Sequence, residues 1–173
     1  MLPSAVEVFL APVDSPQLFD YDGPGDWRER VHGIDFSCLE EIEIQQAIGI
    51  KTTVVPSDLL APGNPLFGLD LATAKKEDPY RSGEVSFTVE HDGRLDGFAG
   101  WFSAQLSPSI LLDTGPYAPK THWQQVFLPI MPFDVAKGEV ITVRYSLQKH
   151  PADPRSIAFD LAVEDQSYTF TIA

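Results

Sequence analysis

Toward the C-terminus, three stretches, EVITVRYSLQ, SIAFDLAV and SYTFTI, alternate apolar and polar residues. A period of two puts successive side chains on opposite faces of an extended chain, and a helix cannot satisfy it. Ile141, Val143, Tyr145 and Leu147 therefore share one face, as do Ile157, Phe159, Leu161 and Val163, and then Tyr168, Phe170 and Ile172. Short polar turns join the three runs, which predicts an antiparallel meander with one face on a core. GEVSFTVEH adds a further strand, with Val85, Phe87 and Val89 pointing inward. Ala5–Ala11, Thr52–Val55, Leu66–Thr73, Leu95–Leu106 and Trp123–Ile130 read as extended too, with Asp92-Gly93 as a turn signal. Gly97 and Gly100 inside the long Leu95–Leu106 run predict a bend, a bulge or a close backbone approach. The chain has 15 prolines in 173 residues, which disfavours long helices and central strands. Pro12 and Pro16 are expected to close the first strand, and a proline turn to follow Ile130. So many strands hide their edges most economically by folding on themselves. The expected class is mainly β: an antiparallel β-barrel, or barrel-like sandwich, formed by residues 1–173 as one domain.

One segment breaks the pattern. YDGPGDWRERVHGIDFSCLEEIEIQQAIG carries helix punctuation. Asp26 can cap a short helix bearing Trp27 and Val31, which Gly33 would end. Ser37 and Glu40 have capping-box spacing ahead of Leu39 and Ile42, and Gly49 is a plausible stop. EIEIQ, with its period of two, competes with helix here. Residues 22–50 are expected to form a short helical arm, inserted after the first strand and projecting from the barrel.

Composition removes several functional classes. A formal net charge of −13 argues against a nucleic-acid partner, which a basic face would attract. It fits either plain solubility or capture of basic proteins and peptides. The single cysteine, Cys38, permits no internal disulfide and no cysteine-built metal cluster. It points to a reducing, intracellular compartment, cytoplasmic or, in a eukaryote, nuclear. No apolar run approaches a membrane span, and MLPSAVEVFLAP lacks the basic region of a secretory signal. His32, His91, His122 and His150 show no metal-ligand spacing. GRLDGFAG lacks phosphate-loop spacing, no nucleophile-elbow motif exists, and Glu40-Glu41 reads as a solvated face. No metal site, no cofactor cradle and no self-sufficient catalytic constellation is expected.

What remains is PKTHWQQVFLPI, where His122 and Trp123 stand between a proline-rich loop and an apolar strand. Trp123 can be an aromatic cap on a strand end. Alternatively, a loop stiffened by Pro116 and Pro119 presents an imidazole and an indole at a barrel mouth.

GFAGWF, then LDTGPYAPKTHWQQVFLPI, then FDLAV resemble the C-terminal half of the protein arginine N-methyltransferases, with Thr121-His122-Trp123 the most specific element and Gln125 following it. LPSAVEVFLAPV and VHGIDFSCLEE resemble that family too, in the right order, so the likeness covers nearly the whole chain. It implies a substrate-binding and dimerisation barrel. Residues 22–50 would be a dimerisation arm with Trp27, Val31, Ile34, Phe36, Cys38 and Leu39 as its apolar contacts. His122 and Trp123 would be contributed to an active site, with Thr121 and Tyr117 on the substrate side. His122 would pair with an acidic residue of the catalytic domain, and Trp123 would help wall the arginine pocket. Where the family often has Lys after the Trp, this chain has Gln124, so any basic contact there is lost. The resemblance also implies that the N-terminal domain binding S-adenosylmethionine, with the glutamates for the guanidinium, lies outside these residues. No cofactor is then expected in this chain, S-adenosylmethionine belongs to the complete enzyme, and the chain alone is expected to be inactive. Arg-rich proteins or peptides would be the substrates and a homodimer the assembly. The other reading is a free-standing protein- or peptide-binding β-barrel without catalysis.

Overall fold

A computed structural model describes residues 2–45 and 52–172. Among these residues nine strands form two antiparallel sheets. In the first, β2 (Asn64–Asp70) pairs with β1 (Ala5–Val13), and β1 with the long β4 (Gly93–Ser107). The far edge of β4 is shared: Gly93–Gly100 pairs with β6 (Val126–Val135), and Ser103–Ser107 with β5 (Ile110–Asp113). The second sheet runs β3 (Ser82–Thr88), β7 (Val140–Lys149), β8 (Ile157–Val163), β9 (Gln166–Ile172). The last three strands are the meander their alternation predicts, with Ile141, Val143, Phe159, Leu161 and Phe170 buried. They face Leu10, Leu95, Phe98, Leu128 and Ile130 of the first sheet in one core. Each such side chain contributes about 1.5–3 kcal/mol on burial.

The sheets are not joined by a continuous ladder, so the barrel-like sandwich is the better description. Side chains close its two seams. Between β2 and β3, Asn64 Nδ2 donates to the Ser86 carbonyl at 2.7 Å. Beside it, Tyr145 Oη donates to the Leu66 carbonyl at 2.6 Å. Between β6 and β9, the Met131 amide donates to Tyr168 Oη at 2.8 Å, and Gln166 Nε2 to the Met131 carbonyl at 3.2 Å.

Two proline readings are corrected. β1 continues through Pro12 to Val13, with Pro12 opposite Phe98. β2 pairs with β1 only as far as Leu10, so a residue without an N–H is tolerated beyond it. Likewise β6 runs on through Pro129 and Pro132 because it has a partner strand on one side only. Thr52–Val55 forms no strand, although all four of its residues, Thr, Thr, Val and Val, are β-branched. β5 lies inside the proline-rich loop, where no strand was expected, and β6 starts at Val126, three residues after Trp123. Asp92-Gly93 links strands of different sheets and is no hairpin. Gly97 meets its expectation: the β4–β6 register shifts there, and a Cβ would lie 2.4 Å from the Leu128 carbonyl oxygen.

The insertion is less helical than its punctuation suggests. A π-helical turn (Gln17–Tyr21) and a 3₁₀ turn (Pro24–Arg28) precede α1 (Cys38–Glu43), the single α-helix among the described residues. Asp26 lies inside the 3₁₀ turn and does not cap it; Gly23 holds that position. Gly33 ends no helix. With His32 it forms the positive-φ tip of a turn in which Val31 and Ile34 exchange backbone hydrogen bonds. Ser37 precedes α1 without a side-chain cap, and the capping box does not form: the Ser37 amide donates to Asp35 Oδ1 at 3.0 Å, while Arg28 takes the Glu40 carboxylate at 2.5 Å. At the end of α1 the chain is back on the barrel: Ile44 is buried in the core, and Gln45 Oε1 accepts the Thr169 amide at 3.0 Å. Gly49, read as a stop, lies outside the described residues.

Candidate functional site

The geometry begins at the fork in β4. Between its pairing with β6 and with β5, Phe102 has no ladder partner on that side, and Thr114 substitutes for one. Thr114 Oγ1 accepts the Phe102 amide at 3.1 Å and donates to the Phe102 carbonyl at 2.8 Å. The chain leaves the sheet here and returns at Val126. Gln125 pins the return. Its buried amide donates through Nε2 to the Thr114 carbonyl, and its Oε1 accepts the Val54 amide at 3.1 Å. Both ends of the loop thus meet at one side chain, with the 52–55 segment laid alongside. Those contacts hold Thr52–Val55 beside the loop although it joins no sheet.

Trp101 packs the base of the loop. Its indole stacks on Phe9 with centroids 5.8 Å apart. It fills the space left by two glycines, since a Cβ on Gly63 or Gly115 would come within 2.3 or 2.7 Å of it. Above it, Gln124 takes the left-handed conformation (φ +53) and turns the preceding residues outward. Trp123 touches Phe102 edge-on at 6.3 Å and His122 at 6.5 Å, and is 60% exposed. His122 is exposed as well and has no carboxylate partner among the described residues. Thr121 carries a buried hydroxyl with no partner among the described residues. Tyr117 stands on the Gly115–Ala118 turn, largely exposed. All four loop residues named from the sequence are therefore on one pinned loop. Below Trp123 an apolar recess of about 370 Å³ opens between the sheets, walled by Phe9, Phe67, Trp101, Phe102 and Phe159. No three His, Cys, Asp or Glu side chains are grouped to hold a metal among the described residues.

The arm residues form a second surface. Trp27 and Phe36 meet edge-on at 6.3 Å and are half-buried with Leu39. Val31 and Ile34 at the turn and Ile42 on α1 are exposed, with Cys38.

Known proteins share this layout. A profile of the arginine methyltransferase oligomerization subdomain matches residues 5–168. The chain belongs to that family. Protein arginine N-methyltransferase 2 of Homo sapiens is 28% identical over 174 residues, covering 93% of this chain and 40% of the relative. The arginine N(omega)-methyltransferase of Streptomyces achromogenes is 26% identical over 145 residues, covering 83% and 38%. This oligomerization subdomain therefore spans less than half the length of those relatives. Its fold matches the Trypanosoma brucei PRMT1 enzyme-prozyme heterotetrameric complex with AdoHcy, with a TM-score of 0.89 at 22% identity over 100% of this chain and 57% of that one. It also matches Arabidopsis thaliana protein arginine methyltransferase 10, with a TM-score of 0.78 over 100% of this chain. No helix of the subdomain, among the described residues, is long and apolar enough to cross a membrane.

Sequence reasoning did not find the support beneath the loop. Trp101 was visible only as part of a motif, and the roles of Thr114, Gly63 and Gly115 depend on contacts across the fold. Gln125 was noted after the Trp, and a signal was available: an amide leading an apolar strand needs partners if buried.

Proposed function

We propose that this chain forms one wall of the substrate-arginine site of a protein arginine methyltransferase and carries its dimerisation arm. One observation supports this above the others: His122 and Trp123 are exposed side by side on a loop whose two ends are tied together by Gln125. An exposed indole face can wall a guanidinium by cation–π attraction, worth about 0.5–2 kcal/mol. An imidazole without a carboxylate here is suited to one supplied from outside, which would hold its ring and tautomer. Thr121 and Tyr117 would border the peptide. The surplus of acidic groups would draw Arg-rich proteins or peptides to the site. In the complete enzyme the activity would be methyl transfer to a guanidinium nitrogen.

S-adenosylmethionine does not fit the residues present. The single α-helix among those described has six residues, and its start at Ser37 has no glycine-rich turn before it. The cofactor would be held by another part of the enzyme, and this chain alone would be inactive. Calorimetry should detect no S-adenosylmethionine binding to the chain alone; micromolar binding would refute that assignment. In the full-length enzyme, His122→Ala should lower turnover with the fold intact, and unchanged kinetics would reject its active-site role.

The arm would make the homodimer through Trp27, Val31, Ile34, Phe36, Cys38 and Leu39. Three observations favour this: the family is an oligomerization subdomain, the arm tip is apolar, and its Val31 and Ile34 are exposed.

A further inference from the structure

Between the barrel and the arm runs a line of alternating charges. It starts at Asp96 on β4, which is fully buried. Asp96 Oδ2 accepts the Ser15 amide at 2.8 Å, and its Oδ1 lies 2.5 Å from Arg94 Nε. Arg94 Nη2 reaches on to Asp20 Oδ2 in the π-helical turn, at 2.7 Å. Asp20 Oδ1 is 3.8 Å from Arg28 Nη1 in the 3₁₀ turn, and Arg28 Nη2 is 2.5 Å from Glu40 on α1. Five charges thus link four successive elements, from the core to the arm helix. Phe19, fully buried, lies between the two cations, with the Arg28 guanidinium 5.3 Å and the Arg94 guanidinium 6.0 Å from its ring centre. Asp14 completes the surroundings by accepting the Arg94 backbone amide at 3.1 Å.

Isolated surface ion pairs contribute little. This case differs because one end is buried and each inner member serves two partners. Without Arg94, a carboxylate with no solvent access loses its cation, and Asp20, Asp96 and Asp14 are left with like charges as neighbours. A lysine keeps one charge but has no planar fork to reach two carboxylates at once. We propose that Arg94 is the positioning residue of the arm: it clamps the arm root, through Asp20 and Phe19, to the buried Asp96. Arg94 thereby fixes the direction in which Val31, Ile34 and Ile42 are presented to a second copy. That last step rests on reading the arm as the dimerisation element.

Hydrogen exchange and sedimentation on the full-length protein test the clamp. Arg94→Met should speed amide exchange across residues 17–45 at least tenfold while β7–β9 keep their protection, and Arg94→Lys should restore part of it. Asp20→Asn cuts the link without stranding a buried charge, so it should loosen the same segment even if Arg94→Met fails to fold. Each variant should raise the dimer dissociation constant about tenfold or more. Unchanged exchange in the arm, or an equal rise in every strand, overturns the clamp. A loosened arm with an undisturbed dimer overturns instead the dimerisation reading it rests on.

Discussion

Gln125→Met tests how the loop is held. Methionine matches glutamine in length and shape but has neither the amide donor nor a comparable acceptor. The substitution leaves the Val54 N–H and the Thr114 carbonyl, both at a buried site, without their partner. Each orphaned group costs about 1–3 kcal/mol. The gain from replacing an amide by apolar surface offsets about 1 kcal/mol. The expected net loss is about 1–5 kcal/mol, read as a fall in the urea midpoint at constant slope. Exchange of the Val54 amide should rise more than that of the meander strands. Gln125→Glu provides an internal check. It can still accept from Val54, but it points a carboxylate at the Thr114 carbonyl. It should be at least as damaging as methionine at neutral pH and recover in acid, when a protonated carboxyl can donate. A loss below about 0.5 kcal/mol for Gln125→Met, with Val54 still protected, would refute the pinning role.

Gly97→Ala should destabilise by about 2–4 kcal/mol, since its Cβ would overlap the Leu128 carbonyl at 2.4 Å and the Phe127 ring at 2.8 Å; a change in thermal midpoint no larger than that of Gly100→Ala, where the nearest atom is 3.8 Å away, would contradict the close approach. Gln124→Val forces a β-branched residue into φ +53 and should cost about 1–2 kcal/mol, with Trp123 fluorescence shifting as the loop reorients. For acid stability, burial raises the Asp96 carboxyl above its ordinary value, with Arg94 pulling against it. The folded state therefore holds that proton more tightly than the unfolded chain does. The associated stability is present below the ordinary aspartate value and lost as pH rises through the raised one. Asp96→Asn should flatten that fall in a urea series; an unaltered slope would assign it to other groups, such as Asp58, which burial also raises.

The sheets were legible where one strand face is buried. Ile141 to Leu147 and Phe159 to Val163 show alternation because half their side chains enter the core. β5 was illegible because Ile110 and Leu111 are mostly exposed and only β4 holds them extended. Pro12 and Pro132 misled because a proline's place in a strand depends on which side has a neighbour, and that is a tertiary fact. In the arm, Arg28 captured the glutamate that local spacing had assigned to Ser37. The site divided in the same way. His122 and Trp123 stood out as a motif, whereas Gln125 works through Thr114 and Val54, 11 and 71 residues away.

The fork in β4 separates the fate of the loop from that of the sheets. Residues 115–124 leave and re-enter at one point, and Thr114 and Gln125 close that point whatever lies between. Doubling the length of such a closed loop costs only about 0.6 kcal/mol. Extra residues ahead of Thr121 can therefore be accommodated at little cost to the sheets, so the length of the loop and the placement of His122 and Trp123 are set separately.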